Sequence, residues 1–127
     1  MPKSASFLFA GLAVFVLGLG TGQLVSTSAR AVGGLPAKVL LDNDRVKITE
    51  VYFAPGARRE GGWIRAGDQV IVWLDEASYA ASDANGSAPQ FYRRNQGSIL
   101  WHPKGETAPL LVNKGEKPFR ELVIELK

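Results

Sequence analysis

The pattern of apolar and polar positions changes near residue 30 and indicates two parts of different character. Residues 7–25 are uncharged and mostly apolar, with no alternation. From Lys38 onward, short runs rich in β-branched and aromatic residues are separated by turns containing Gly, Pro, Asn and Asp. The first pattern is typical of a membrane-targeting segment, and the second is typical of antiparallel sheet.

The second part predicts an all-β domain without a helix beyond Leu35. Its strand-like runs are residues 39–41, 46–53, 70–74, 91–94, 99–101, 110–112 and 119–126. Residues 46–53 alternate in character, which fits the wall of a barrel better than a helix. Residues 78–89 have low hydrophobicity and predict an exposed turn around Asp83–Gly86. About six to eight short strands at this spacing favour a sandwich or β-barrel of the jelly-roll type.

Residues 1–31 have two interpretations. The basic start at Lys3, the apolar run and the small residues around Arg30 match a secretory signal peptide that is cleaved near Ala31. The uncharged stretch 7–25 is also long enough to form a transmembrane helix, an uncleaved membrane anchor. Both interpretations place a domain of residues 38–127, after a linker of residues 32–37, in the periplasm or outside the cell. They differ in whether that domain stays tethered.

Charge and cysteine content exclude several classes of function. The 127 residues include 15 Lys and Arg and 12 Asp and Glu, and residues 1–31 contribute two basic residues and no acid, so 13 basic residues face 12 acidic ones in the rest, a net charge of +1. This balance, without a basic and aromatic patch, argues against nucleic-acid binding. With no cysteine, the chain has no disulfide, thiolate metal site or cysteine nucleophile.

Two motifs resemble the cupin family. Gly97, Pro103 and Gly105 stand at the spacing of the second cupin motif, and Asn113 fits with a slip of one residue. Where that motif has a metal-binding His, this chain has Ala108, or the proline after it. Residues 53–57 and 69–75 resemble the first motif. The resemblance covers residues 38–127 and implies a small single-domain RmlC-like cupin, a jelly-roll β-barrel behind the N-terminal signal or anchor helix.

The resemblance implies that the metal site of the family is lost. Cupins with a metal use two His and a Glu from the first motif, and the matching positions here are Trp63, Arg65 and Gln69. A shift of one residue gives Gly62, Ile64 and Asp68, which adds a single carboxylate. Imidazole and carboxylate donors must converge on such a metal, so we expect no metal and no cofactor.

Without a metal, the resemblance leaves the barrel mouth as the expected ligand site. Arg65 and Gln69 would point to where the metal stands in relatives, flanked by Trp63 and by Trp73, Tyr92 or Trp101. A guanidinium offers a planar fork to anions and aromatic rings cover apolar faces, so we expect a small polar or anionic ligand: a carboxylate, a phosphate or a sugar. The alternative is that the tryptophans fill a collapsed barrel while Arg65 reaches solvent.

His102, the single histidine, is a weak candidate for catalysis. Its imidazole titrates near neutrality, and Glu106 or Tyr92 would complete an acid–base pair like that of metal-independent cupin epimerases. A histidine at a strand end is more often a structural, hydrogen-bonded residue. The pairs Arg58–Arg59 and Arg93–Arg94 are expected to be solvated.

We therefore expect a binding module rather than an enzyme, an exported metal-free cupin that holds a small ligand or a protein partner. The first alternative is a metal-independent sugar epimerase or isomerase that uses His102. The second is an accessory subunit of a larger membrane complex, with membrane contact through residues 7–25. Because cupins often dimerise, the resemblance also implies a possible homodimer.

Overall fold

The computed structural model describes residues 29–127, which form ten β-strands and no helix. The strands are β1 (Ala29–Val32), β2 (Leu35–Asp42), β3 (Val46–Phe53), β4 (Arg58–Arg59), β5 (Gln69–Trp73), β6 (Ala77–Ser82), β7 (Gln90–Arg94), β8 (Ile99–His102), β9 (Leu110–Asn113) and β10 (Phe119–Leu126). The predicted signal or anchor stretch, residues 7–25, lies outside the described residues. From residue 29 onward, no helix is long and apolar enough to cross a membrane.

The strands form two antiparallel sheets packed face to face. The large sheet has six strands in the order β1-β2-β3-β10-β5-β8, and the small sheet has four in the order β4-β9-β6-β7. Neighbours in space are often distant in sequence, as β10 lies between β3 and β5. The all-β prediction is confirmed, and the two sheets enclose the interior in which the candidate site lies.

The long pair β3–β10 fixes the closed end of the sandwich. Its register runs from Val46 opposite Leu126 to Phe53 opposite Phe119. The rings of Phe53 and Phe119 are fully buried and stack with centroids 4.4 Å apart. Alternation along these strands turns one set of side chains inward and the other outward. The same register therefore determines which residues of β10 after Phe119 face the interior.

Asn113 ties the end of β9 to two neighbouring segments. Its buried amide nitrogen donates hydrogen bonds to the carbonyl oxygens of Phe53, Ala54 and Lys117, and its Oδ1 accepts one from the Gly115 N–H. A buried amide satisfied on both sides rigidifies the turns it joins. This geometry gives the motif residue Asn113 a structural role.

Two boundaries differ from the sequence prediction. β2 begins at Leu35, inside the segment expected to be a linker, because Leu35 and Ala37 are buried in the core. β6 occupies the first part of a segment predicted as an exposed turn, because Tyr79 and Ala80 are buried between β7 and β9. The turn itself is present after β6, where the Gly86 N–H donates to the Asp83 carbonyl.

The outer face of the large sheet is also apolar. Its side chains come from strands β3, β5, β8 and β10, and they are partly or largely exposed. They are Val46, Ile48, Val70, Val72, Ile99, Trp101, Leu122, Ile124 and Leu126. In β10 the more hydrophobic row therefore lies outside, and Glu121 lies on the inner face beside Trp73 of β5.

Candidate functional site

A cavity of about 260 Å³ lies between the two sheets. Its lining is part apolar and part cationic. The large sheet contributes Ile71, Trp73, Leu100, His102 and Glu121, and the small sheet contributes Arg59, Tyr79, Ala81, Tyr92, Arg94 and Leu111, with Arg65 and Pro109 from the connecting segments. A second cavity of about 250 Å³ shares Arg59, Arg65 and Glu121 with the first, and Trp63 and Gln69 also line it.

Arg65 and Trp63 are placed by a segment that pairs with the residues before β9. The Arg65 N–H donates to the Glu106 carbonyl, and the Ala108 N–H donates to the Trp63 carbonyl. Gly61 allows this approach, since a Cβ there would come within 2.5 Å of the backbone of Pro109. The close contact brings the Arg65 side chain into the barrel instead of toward solvent.

Arg59 and Arg65 are buried, with 5% and 3% of their surface exposed. Arg59 Nη2 donates to the carbonyl oxygen of Pro109, and Arg65 Nη1 donates to Gln69 Oε1 at 2.6 Å. Their guanidinium carbons lie 5.5 and 5.4 Å from the Trp63 ring centroid. The expectation that Arg59 is solvated is wrong, because alternation in β4 turns it inward. The alternative in which Arg65 reaches solvent is excluded by its burial.

Three buried donors in this site have no hydrogen-bond partner in residues 29–127. They are Arg59 Nε, Arg65 Nε and Trp73 Nε1. Arg65 Nε lies 3.4 Å from Glu106 Oε1, which is an ion-pair distance without a hydrogen bond. Buried polar groups are nearly always paired, so unpaired donors that share one cavity point to a function.

Glu121 is the buried carboxyl of the interior, with 2% of its surface exposed. Burial raises its pKa to about 7, and the positive charges of Arg59 and Arg65 limit the rise. Burial also lowers the pKa of Arg59 to about 10, against the opposing effect of Glu121. Near neutral pH the site therefore contains two guanidinium charges and a carboxyl that is only partly ionised.

His102 and Glu106 form a close pair at the edge of the first cavity. His102 Nδ1 lies 2.6 Å from Glu106 Oε1, and His102 stands opposite Gln69 in the β5–β8 pair. Burial and the charge of Arg65 lower the pKa of His102, while Glu106 raises it. A neutral imidazole that donates from Nδ1 to Glu106 keeps Nε2 as its acceptor.

An aromatic stack forms another wall of the first cavity. Tyr79 lies between Trp73 and Tyr92, with ring centroids 6.0 and 5.5 Å away. The Arg94 guanidinium lies over Trp73 at 5.0 Å and over Tyr92 at 5.3 Å, and its Nε donates to the Tyr79 hydroxyl at 3.1 Å. Arg94, expected in solvent, instead adds a third guanidinium to the cavity lining.

The structure brings together most of the residues that the sequence nominated. Arg65 contacts Gln69, Trp63 covers the guanidinium, and Tyr92 lines the first cavity. Trp101 does not join them, because its position in β8 turns it to the outer face, where 51% of its surface is exposed.

Sequence reasoning missed Arg59, Arg94 and Glu121 as site residues. Short charge runs such as Arg58–Arg59 and Arg93–Arg94 are usually solvated, and the sequence pattern assigns no role to Glu121 in the longer strand β10. The only signal that could have drawn attention to Glu121 was its position among apolar residues on one face of β10.

The residues at the position of the cupin metal do not fit a metal ion. The four matched positions are Trp63, Arg65, Gln69 and Ala108, none of which offers an imidazole or a carboxylate. Arg65 adds a buried positive charge that repels a cation. Among residues 29–127 there is no group of three or more His, Cys, Asp and Glu that could hold a metal.

Comparison with known proteins gives matches among solved structures. No protein-family model and no curated protein matches the sequence. The structure is similar to a cupin domain from Bordetella pertussis Tohama I, with 24% identity, a TM-score of 0.65 and coverage of 77% of this chain and 98% of that chain. It is also similar to an RmlC-like cupin from Shewanella frigidimarina, with 14% identity, a TM-score of 0.58 and coverage of 80% and 83%.

A third similar structure is an enzyme. The polyketide cyclase RemF from Streptomyces resistomycificus matches with 18% identity, a TM-score of 0.61 and coverage of 81% of this chain and 73% of that chain. Identities at this level show the shared fold alone. They confirm the architecture that the two sequence motifs imply.

Proposed function

We propose that the protein is a binding module whose barrel holds a small oxyanion between Arg59 and Arg65. One fold hosts many functions, so the proposal depends on this site and not on the fold. Gln69 and Trp63 line the second cavity and contact the same arginine pair. Gln69 accepts a hydrogen bond from Arg65, and the Trp63 ring lies against both guanidinium groups.

The observation that carries the proposal is the set of unpaired buried donors, Arg59 Nε, Arg65 Nε and Trp73 Nε1. A buried donor without a partner costs about 1–3 kcal/mol, and a charged donor costs more. All three belong to residues that line the first cavity. A ligand that brings negatively charged acceptor oxygens to the two guanidinium groups compensates their buried charge, and it forms the stronger, charge-assisted class of hydrogen bond with them.

The charge balance of the interior favours the same class of ligand. Arg59 and Arg65 remain protonated at neutral pH, whereas the raised pKa of Glu121 leaves it partly neutral. Arg94 adds positive charge at the aromatic wall. In a water-poor site, this excess of positive charge attracts anions more strongly than it would in bulk water.

The proposal is tested by titration calorimetry of the full-length protein in mild detergent with acetate, benzoate and inorganic phosphate. At least one anion should bind, and Arg59→Gln should weaken that binding more than tenfold. Arg58→Gln is the matched control, because Arg58 is exposed and pairs with Glu60 on the surface. Equal loss in both variants, or no binding by any anion, contradicts the proposal.

A second candidate function, acid–base catalysis, is favoured by the 2.6 Å contact between His102 and Glu106. His102 lines the first cavity with Tyr92 and the arginines, a setting in which a neutral imidazole can take a proton from a bound sugar or carbonyl compound. The test is exchange of carbon-bound hydrogen for deuterium in a panel of such compounds, followed by NMR. Exchange by the native protein that is lost in His102→Gln supports an epimerase or isomerase, and its absence leaves binding as the function.

We also propose that the domain acts outside the cytoplasm. The support is the sequence pattern of residues 1–31, with cleavage near Ala31 or retention of residues 7–25 in the membrane. In the tethered form the domain would serve as an accessory subunit of a membrane complex. Cell fractionation with intact-mass measurement tests this: a full-length mass in the cytosolic fraction contradicts both forms.

A homodimer through the outer face of the large sheet is the oligomeric state that we propose. Ile99, Trp101 and Leu126 are 68%, 51% and 39% exposed on that face, which is unusual for a monomer. Lys38 and Glu50 stand side by side at its rim in the β2–β3 pair. A second copy related by a twofold axis can therefore match both the apolar surface and the opposite charges.

A further inference from the structure

We infer that the anion taken by the first cavity is a carboxylic acid with an apolar body, and not a phosphate or a sugar. The inference rests on the proposed function, because it names the class of anion that the same arginine pair receives. The inference uses three features of the cavity: its pair of guanidinium groups, the chemistry of its walls and its size.

The two guanidinium groups match a carboxylate. Arg59 Nη2 donates to Pro109 and Arg65 Nη1 donates to Gln69, whereas Arg59 Nε has no hydrogen-bond partner and Arg65 Nε has only the 3.4 Å ion-pair contact with Glu106. Two neighbouring guanidinium groups suit the two oxygens of one carboxylate. A phosphate brings a third charged oxygen and a second negative charge, and its desolvation next to the carboxyl of Glu121 is costly.

The walls match an apolar body. Ile71 and Leu100 face the cavity from the large sheet, and Ala81 and Leu111 face it from the small sheet. A sugar ring can pair some hydroxyl groups with Tyr92, Arg94 and His102 of the same lining, but the hydroxyl groups turned to these four apolar side chains lack partners, which is unfavourable for each group. A hydrocarbon body instead covers them and gains from leaving water.

The size indicates how much of a ligand the cavity can enclose. A cavity of about 260 Å³ corresponds to roughly nine water molecules, and so to a ligand of roughly ten non-hydrogen atoms. Benzoate has this size and joins one carboxylate to an apolar ring. Acetate carries the same carboxylate without the body, and benzamide has the same shape without the charge.

The experiment compares these probes by titration calorimetry on the full-length protein in detergent, with detergent alone as the blank. Benzoate should bind at least tenfold more tightly than acetate, phosphate, benzamide or glucose. Arg65→Gln should weaken benzoate more than tenfold, and Arg58→Gln should leave it unchanged. Leu100→Asn, on the half-buried apolar wall, should weaken benzoate at least fivefold and leave acetate unchanged.

The outcomes distinguish the carboxylic-acid inference from the proposed anion binding on which it rests. If acetate or phosphate binds as tightly as benzoate and still requires Arg59 and Arg65, the carboxylic-acid inference is overturned and anion binding stands. If only glucose or benzamide binds, or if no probe binds, both are overturned. Circular dichroism identifies a variant that fails to fold, and the probe series on the native protein then decides the question by itself.

Discussion

Arg65 Nη1 donates a 2.6 Å hydrogen bond to Gln69 Oε1 in the interior of the barrel. These two residues match positions where the cupin motif carries metal ligands, and here they bond to each other. A guanidinium and an amide stand at these positions in place of imidazole and carboxylate groups. In the proposed function this exchange reverses the charge preference of the site, from a metal ion to an anion.

Replacing Arg59 with a similar-sized apolar residue should separate stability from binding. We expect Arg59→Met to change the stability of the ligand-free protein by less than about 1 kcal/mol, because the gain from removing a buried charge whose Nε has no partner is offset by loss of the Nη2 hydrogen bond to Pro109. The same variant should lose anion binding. Urea unfolding and calorimetry measure the two effects, and a loss of more than about 2 kcal/mol in stability would show that Arg59 is a structural residue.

The folding stability should fall as the pH rises from about 4.5 to about 7, through the ionisation of Glu121. Its pKa is raised from 4.5 to about 7, so between these values the folded state binds more protons than the unfolded state. The linked loss can reach about 3 kcal/mol. Denaturant unfolding across this range should show the decline in the native protein and a flatter profile in Glu121→Gln.

His102→Gln is the matched control for that titration. The pKa of His102 is lowered, so its own contribution to stability is lost as the pH falls below 6.5, which is the opposite direction. The native decline with rising pH should therefore persist in His102→Gln. If the decline disappeared in His102→Gln and persisted in Glu121→Gln, it would arise from His102 and not from Glu121.

The pKa of His102 should respond in opposite directions to its two charged neighbours. Glu106→Gln removes an interaction that raises this pKa and should lower it further, whereas Arg65→Gln removes one that lowers it and should raise it. Because the chain has a single histidine, its ring proton signals can be followed by NMR without overlap. Equal shifts in the same direction would be incompatible with the observed pairing.

Asn113→Ala should destabilise the fold without touching the cavity. The buried side chain donates to three carbonyl groups and accepts from the Gly115 N–H, so its removal leaves several buried polar groups unpaired. We expect a loss of about 2–4 kcal/mol in urea unfolding. Asn85→Ala, in an exposed turn, serves as the comparison and should change stability by less than about 0.5 kcal/mol.

A charge on the outer face of the large sheet should dissociate the proposed homodimer. Trp101→Lys places a lysine in the middle of the apolar surface, and sedimentation velocity should then show a monomer. Phe91→Lys is the control, since Phe91 is 69% exposed on β7 of the small sheet. A native protein that sediments as a monomer at micromolar concentration would remove the dimer from consideration.

Local sequence information was enough to predict the strands with strong alternation and the turns between them. The segment of β3, the segment of β10 and the motif around Asn113 were readable because the information is local: side chains alternate, and turns require particular residues. The same local information, matched against the cupin motifs, was enough to identify the fold. β6 was not predicted, because its small residues have little hydrophobic signal and its burial comes from two neighbouring strands.

Which face of each strand lies inside depends on how the two sheets pack against each other. Alternation divides β8 into Leu100 with His102 and Ile99 with Trp101, but either pair can face the barrel until the opposing sheet is known. The same ambiguity concealed Glu121, which lies inside although the row of β10 with Leu122 is more apolar. Arg59 became a site residue because β4, only two residues long, turns it against Trp63 and Pro109. Such long-range packing determines the burial of a charge, and through it the chemistry of the site.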